Sequence, residues 1–141
     1  VFFFPAATGV RSATLHATAT TGGTVSASLS GTGVEPLAFV FTPNSHDFGS
    51  AWLGTTTSGY SIEITNNRDT TQSVFMSIAG PHQDDFLVDP AGCAVAPLAP
   101  GAQCHVFVSF RPSAAGVRTA NLIATGELGQ STAALSGTGT P

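Results

Sequence analysis

The residues best equipped for chemistry are two cysteines, a histidine beside three aspartates, and one adjacent histidine and aspartate. Cys93 and Cys104 stand eleven apart around the turn-rich stretch 94–103. A disulfide closing that short loop is the expectation, and it would contribute roughly 2–3 kcal/mol by restricting the unfolded chain. Two buried free thiols are the alternative. A zinc site would need four ligands, and only His105 lies close by in sequence. Formed as a bridge, the pair would put the protein in an oxidising setting, secreted or on a cell surface.

His82, Asp84, Asp85 and Asp89 gather around Phe86. Oxygen ligands of this kind could hold calcium, which makes His82, Asp84 and Asp85 weak metal candidates. Their spacing lacks the ligand density of a dedicated calcium loop, so a solvated acidic loop is the expectation. His46 and Asp47 beside Ser45 look like part of a triad, yet neighbours on a strand point to opposite faces. The chain has no Gly-x-Ser-x-Gly elbow, no His-Glu-x-x-His and no Walker loop. The expectation is a protein that is not an enzyme and needs no cofactor.

The elements that would position these groups are strands. Tyr60, Ile62 and Ile64 alternate with Ser61, Glu63 and Thr65, and Val74, Met76 and Ile78 alternate with Ser73, Phe75 and Ser77. That period of two marks strands with one buried face. Val106, Val108 and Phe110 alternate toward Pro112, and Arg118–Thr125 and Ser131–Ser136 follow. At the start, Val1–Phe4 and Arg11–Thr18 read as a hairpin, with a third strand from Val25 to Ser30. No ten-residue stretch carries a helical period. Strands with turn signals about every ten residues predict an all-β, immunoglobulin-like sandwich.

The chain also repeats itself. Val1, Phe3, Pro5, Ala7, Gly9, Val10, Arg11, Ala13, Leu15, Ala17 and Thr18 recur 107 positions later as Val108, Phe110, Pro112, Ala114, Gly116, Val117, Arg118, Ala120, Leu122, Ala124 and Thr125. Leu29-Ser30-Gly31-Thr32-Gly33 recurs as Leu135–Gly139 at a spacing of 106, after a one-residue slip in the turn between. A period near 106 is the length of one small sandwich. The expected organisation is therefore the terminal strands of a preceding repeat in residues 1–34 and one complete domain in 35–141. Phe2 and Phe4 make the first segment apolar on both sides, where the second copy has Ser109 and Arg111. With Trp52, they are the candidate interface residues.

Composition narrows the partners. Of 141 residues only 9% are charged, there is no lysine, and the four cations Arg11, Arg68, Arg111 and Arg118 leave a net charge of −4. That balance disfavours nucleic acid and anionic membranes, both of which are held through clustered positive charge. No run reaches the roughly 20 apolar residues of a membrane helix. Neighbouring repeats, copies of the same chain, or a cell-surface glycan or protein remain as partners.

Asp47-Phe48-Gly49, Gly54, Thr65-Asn66-Asn67, Cys93, Leu98, Pro100-Gly101, Cys104, the Val106-x-Val108-x-Phe110-x-Pro112 strand and the closing Leu135–Gly139 together resemble the ASH family (ASPM, SPD-2 and Hydin). Bacterial proteins with such repeats are often described as choice-of-anchor D domain proteins. The resemblance covers 37–139 as a complete unit and 1–33 as the end of another. It implies a sandwich similar to major sperm protein and pilus chaperones, with no catalytic residues. Three roles follow as expectations: a structural repeat of an extracellular fibre, stalk or adhesin; a filament subunit that packs through residues 1–34; or a recognition module using Trp52, His82, Asp84 and Asp85.

Overall fold

Residues 1–36 and 37–141 form two separate units in the computed structural model, which describes the whole chain. The first unit is a two-stranded antiparallel hairpin of β1 (Gly9–Thr18) and β2 (Thr24–Gly33). Val1–Phe4 is not a strand, contrary to the sequence expectation. Its copy is Val108–Arg111, of which Val108–Phe110 end β8 (Gln103–Phe110) and pair with β5 (Tyr60–Asn66) and β7 (Phe86–Asp89). The same residues at the start of the chain have no strand beside them, and extended backbone becomes a strand only through its ladder of partners.

The second unit is a sandwich of two four-stranded sheets. One sheet runs in the order β4 (Ser45–Trp52), β10 (Gly129–Thr140), β9 (Gly116–Gly126), β6 (Phe75–Ala79). The other runs β3 (Phe39–Thr42), β5, β8, β7. The chain crosses from the second sheet to the first at Pro43 and Asn44, where proline cannot continue the ladder. β4 then lies parallel to β10, and every other pairing is antiparallel. Helix is confined to one 3-10 turn, Gln83–Asp85.

Alternation decides what fills the space between the sheets. Ile62 and Ile64 of β5, Val106, Val108 and Phe110 of β8, Leu122 of β9 and Leu135 of β10 are buried, with Phe39 and Phe41 of β3 closing one side. Phe48, Phe86 and Phe110 form an aromatic cluster with ring centroids 5.0–6.0 Å apart. Asn66, at the end of β5, is buried too. Its amide donates to the carbonyls of Thr70 and Leu98 at 2.8 and 2.9 Å, and its Oδ1 accepts the Arg68 N–H. One side chain thereby ties the turn after β5 to the loop before β8.

Cys93 and Cys104 are joined, and both are buried. The bridge pins the 94–103 loop to the first residues of β8. Gly92 lies so near the His105 carbonyl that no Cβ would fit there, which sets the close approach that the bridge spans.

Candidate functional site

The two hairpins of the repeat, β1–β2 and β9–β10, are built alike. Gly9 pairs with Gly33 as Gly116 pairs with Gly139, Ala13 with Leu29 as Ala120 with Leu135, and Leu15 with Ala27 as Leu122 with Ala133. The one-residue slip sits wholly in the tips. Five residues, 19–23, separate Thr18 from its partner Thr24, and four, 126–129, separate Thr125 from Gln130.

The contacts recur with the register. The Phe3 ring lies over Gly31, where an added Cβ would come within 2.7 Å of it, and the Phe110 ring lies over Gly137 with a corresponding distance of 2.6 Å. Pro5 and the Ala7 carbonyl crowd Gly33 as Pro112 and the Ala114 carbonyl crowd Gly139. At Gly33 and Gly139 a backbone carbonyl occupies the side-chain position, so only glycine fits; at Gly31 and Gly137 an aromatic ring lies there, and a side chain would have to displace it.

What differs is cover. Leu122 and Phe110 are fully buried, whereas Leu15 is 49% and Phe3 50% exposed. Val1, Phe2, Phe3, Arg11, Ser12, Ala13, Leu29 and Ser30 line a hollow of about 240 Å³ between the N-terminal segment and the ribbon. Phe2 and Phe4 stand out from it at 87% exposure each, their rings 6.3 Å apart.

Arg118 and its copy Arg11 separate in the same way. Arg118 Nε donates to Asp85 Oδ2 in an ion pair, and its Nη2 reaches Ser113 Oγ at 3.4 Å. Asp85 is buried beneath it and also accepts the Ser113 N–H at 3.1 Å through Oδ1. Burial opposes ionisation of this carboxyl, but the hydrogen bonds from Ser113 and Arg118 outweigh it and hold the group below the usual carboxylate range. Arg11 donates instead to the Thr8 carbonyl at 3.3 Å, and the one carboxylate of residues 1–36 is Glu35, beyond the end of the hairpin.

At Asp85 alone, that pair corrects the expectation of a solvated acidic loop, since Asp89 is exposed as expected. Asp84 is exposed, Asp85 is engaged by Arg118, and His82 Nδ1 accepts the Thr119 N–H at 2.9 Å. No three His, Cys, Asp or Glu side chains converge as metal ligands would. The recurrence of arginine at 11 and 118 was the one sequence signal of a structural role, and its partner, 33 residues away from Arg118, left none.

His46 and Asp47 part company as strand geometry requires. The His46 ring stacks on Tyr60 with centroids 3.5 Å apart and meets the edge of Phe48 at 4.6 Å. Burial lowers its pKa from the ordinary 6.5, against the opposing pull of Asp47. Asp47 accepts the Gly49 N–H at 3.0 Å, where Gly49 has a φ of 66°. Trp52, a candidate interface residue, is 66% exposed at the end of β4, opposite Thr140 of β10.

Among solved structures, the ASH/PapD-like domain 7 of human CEP192 superimposes with a TM-score of 0.59 at 17% identity, covering 76% of this chain and 89% of that domain. The fold is an ASH/PapD-like immunoglobulin sandwich. WR4, a C. elegans MSP family member, also matches, at 8% identity and a TM-score of 0.48 over 74% of this chain and all of that one. No family model matches the sequence, and no curated protein does.

Proposed function

We propose that this chain is a non-enzymatic structural and adhesive repeat of a large extracellular or surface-attached bacterial protein, working as one module of a fibre or stalk. The observation that carries this is the double use of one hairpin, with the same register, the same glycine seats under Phe3 and Phe110, and the same arginine. Repetition of a whole supersecondary unit at domain period is how arrays are built, and each unit in an array meets its neighbours rather than a substrate. The joined Cys93 and Cys104 support an oxidising compartment. The bacterial assignment follows the resemblance to choice-of-anchor D repeats. Its partners would be neighbouring repeats or further copies of itself.

The test is made on the native protein. Cells that make it are fractionated, free thiols are blocked with an alkylating reagent, and peptides are weighed. The expected result is an unalkylated Cys93–Cys104 pair in the surface or medium fraction, within a polypeptide holding further copies of the hairpin. Alkylated cysteines in the cytosolic fraction would overturn the compartment, and a polypeptide with no further copy would overturn the array.

The exposure of Phe2 and Phe4 favours a second reading, a filament subunit that associates through residues 1–36. Mass that rises with concentration in the full chain, and not in a Phe2→Ser, Phe4→Arg variant carrying the second copy's residues, would support it.

A further inference from the structure

Identity between the two hairpins is concentrated on one side. Ala13, Leu15, Ala17, Ala27 and Leu29 are matched by Ala120, Leu122, Ala124, Ala133 and Leu135, all buried between the sheets. The other side is kept less well: Val10, Thr18, Ser30 and Thr32 recur, but Ser12, Thr14 and His16 stand where the second copy has Thr119, Asn121 and Ile123, and Thr24, Ser26 and Ser28 where it has Gln130, Thr132 and Ala134. Solvent imposes no such pattern. A face kept at all positions but one is a face that meets the same kind of surface, and in the sandwich that surface comes from residues 37–107: Phe39 and Phe41 of β3, Ile62 and Ile64 of β5, Phe86 of β7.

We propose that the open face of residues 1–36 is closed by the half-sandwich of a neighbouring repeat, a stretch built like residues 37–107, with Arg11 pairing to a carboxylate in the place that Asp85 holds. Phe3, Leu15 and Leu29 then enter an aromatic and aliphatic core, as Phe110, Leu122 and Leu135 do. The recurrence of arginine at 11 states the chemistry of the occupant: where the hairpin packs, the opposing loop carries an acid. One position departs from the pattern. Val25 stands where Ser131 accepts the Phe39 N–H at 3.1 Å, so an occupant with this chain's own sequence would close less tightly than residues 37–141 do.

This rests on the repeat reading above but not on its compartment. The test joins residues 37–107 ahead of Val1 of the full chain, so that Phe107 precedes Val1 as it precedes Val108. The same sequence then occurs twice in one molecule, and its copy before Val108 is the internal standard. Closure predicts that amide exchange in β1 and β2 slows by at least about a hundredfold relative to the parent chain, and that binding of a hydrophobic dye falls. Changing the Asp85 of the added segment to Asn is expected to accelerate exchange in β1 and β2, and to do so no further once Arg11→Ala is present. An added segment that stays unprotected while residues 37–141 remain folded overturns closure. Independent effects of the two substitutions overturn the ion pair. Self-association of the parent chain that persists in the fused chain overturns the choice of occupant in favour of a second copy. None of these results bears on the state of Cys93 and Cys104, so failure here and failure of the extracellular reading are separable.

Discussion

The hairpin of residues 9–33 and the hairpin of residues 116–139 share sequence, register and glycine seats, yet one is a bare ribbon and the other is the middle of a sheet. The ribbon and its seated aromatic ring thus have the same geometry with and without cover. Burial is supplied by the other half of the sandwich. Substitutions made in parallel at matched positions separate the two contributions.

The largest contrast is expected at the ion pair. Arg118→Ala leaves Asp85 buried without its cation, and breaking such a pair from one side costs about 3–5 kcal/mol. Arg11→Ala in the full chain should leave denaturant unfolding of the sandwich unchanged. Asp85 also gives an acid signature. Its folded pKa lies below the unfolded value, so its contribution is complete above the unfolded pKa, about 3.9, and is lost as pH falls through the folded one. Urea midpoints measured below pH 4 should drop for the parent chain and less for Asp85→Asn.

Next comes the core leucine. Leu122→Ala should cost about 2–5 kcal/mol, and Leu15→Ala should stay within about 0.5 kcal/mol, as surface changes do. Equal losses would mean that the first hairpin is already covered. Reducing Cys93–Cys104 should lower stability by about 2–3 kcal/mol, read as a shift in the urea midpoint with and without reductant, and should leave exchange in β1 and β2 unaltered.

Gly137→Ala should cost about 1–3 kcal/mol, because the Phe110 ring has no room to move. Gly31→Ala should cost less, since half-exposed Phe3 can swing aside, and thermal melts of the two variants decide it. The smallest effect is expected at His46. Its pKa is lowered by burial, so the folded state resists protonation and stability falls as pH drops below about 6.5. His46→Gln should flatten that slope in melts taken between pH 7 and pH 5.

The sandwich was legible in the alternation of residues 60–65 and 106–110, and the disulfide in the spacing of two cysteines. The hairpins were legible because both copies could be laid side by side. Val1–Phe4 misled because a strand is a property of a pair of segments, and one segment's residues cannot report whether its partner is there. Asp85 misled for a related reason: an acid in a polar loop reads as solvated until the fold brings Arg118 over it. The stack of His46 on Tyr60 was equally silent, since it joins strands of opposite sheets across 13 intervening residues.

The tips of the two hairpins differ by one residue, and no pair in the ladders below has shifted. Length at that position is thus uncoupled from register. The tip at Ala19–Gly23 is consequently a place where a fluorophore-bearing cysteine or a short peptide epitope can be grafted, giving an external handle on the hairpin whose face remains free to be filled.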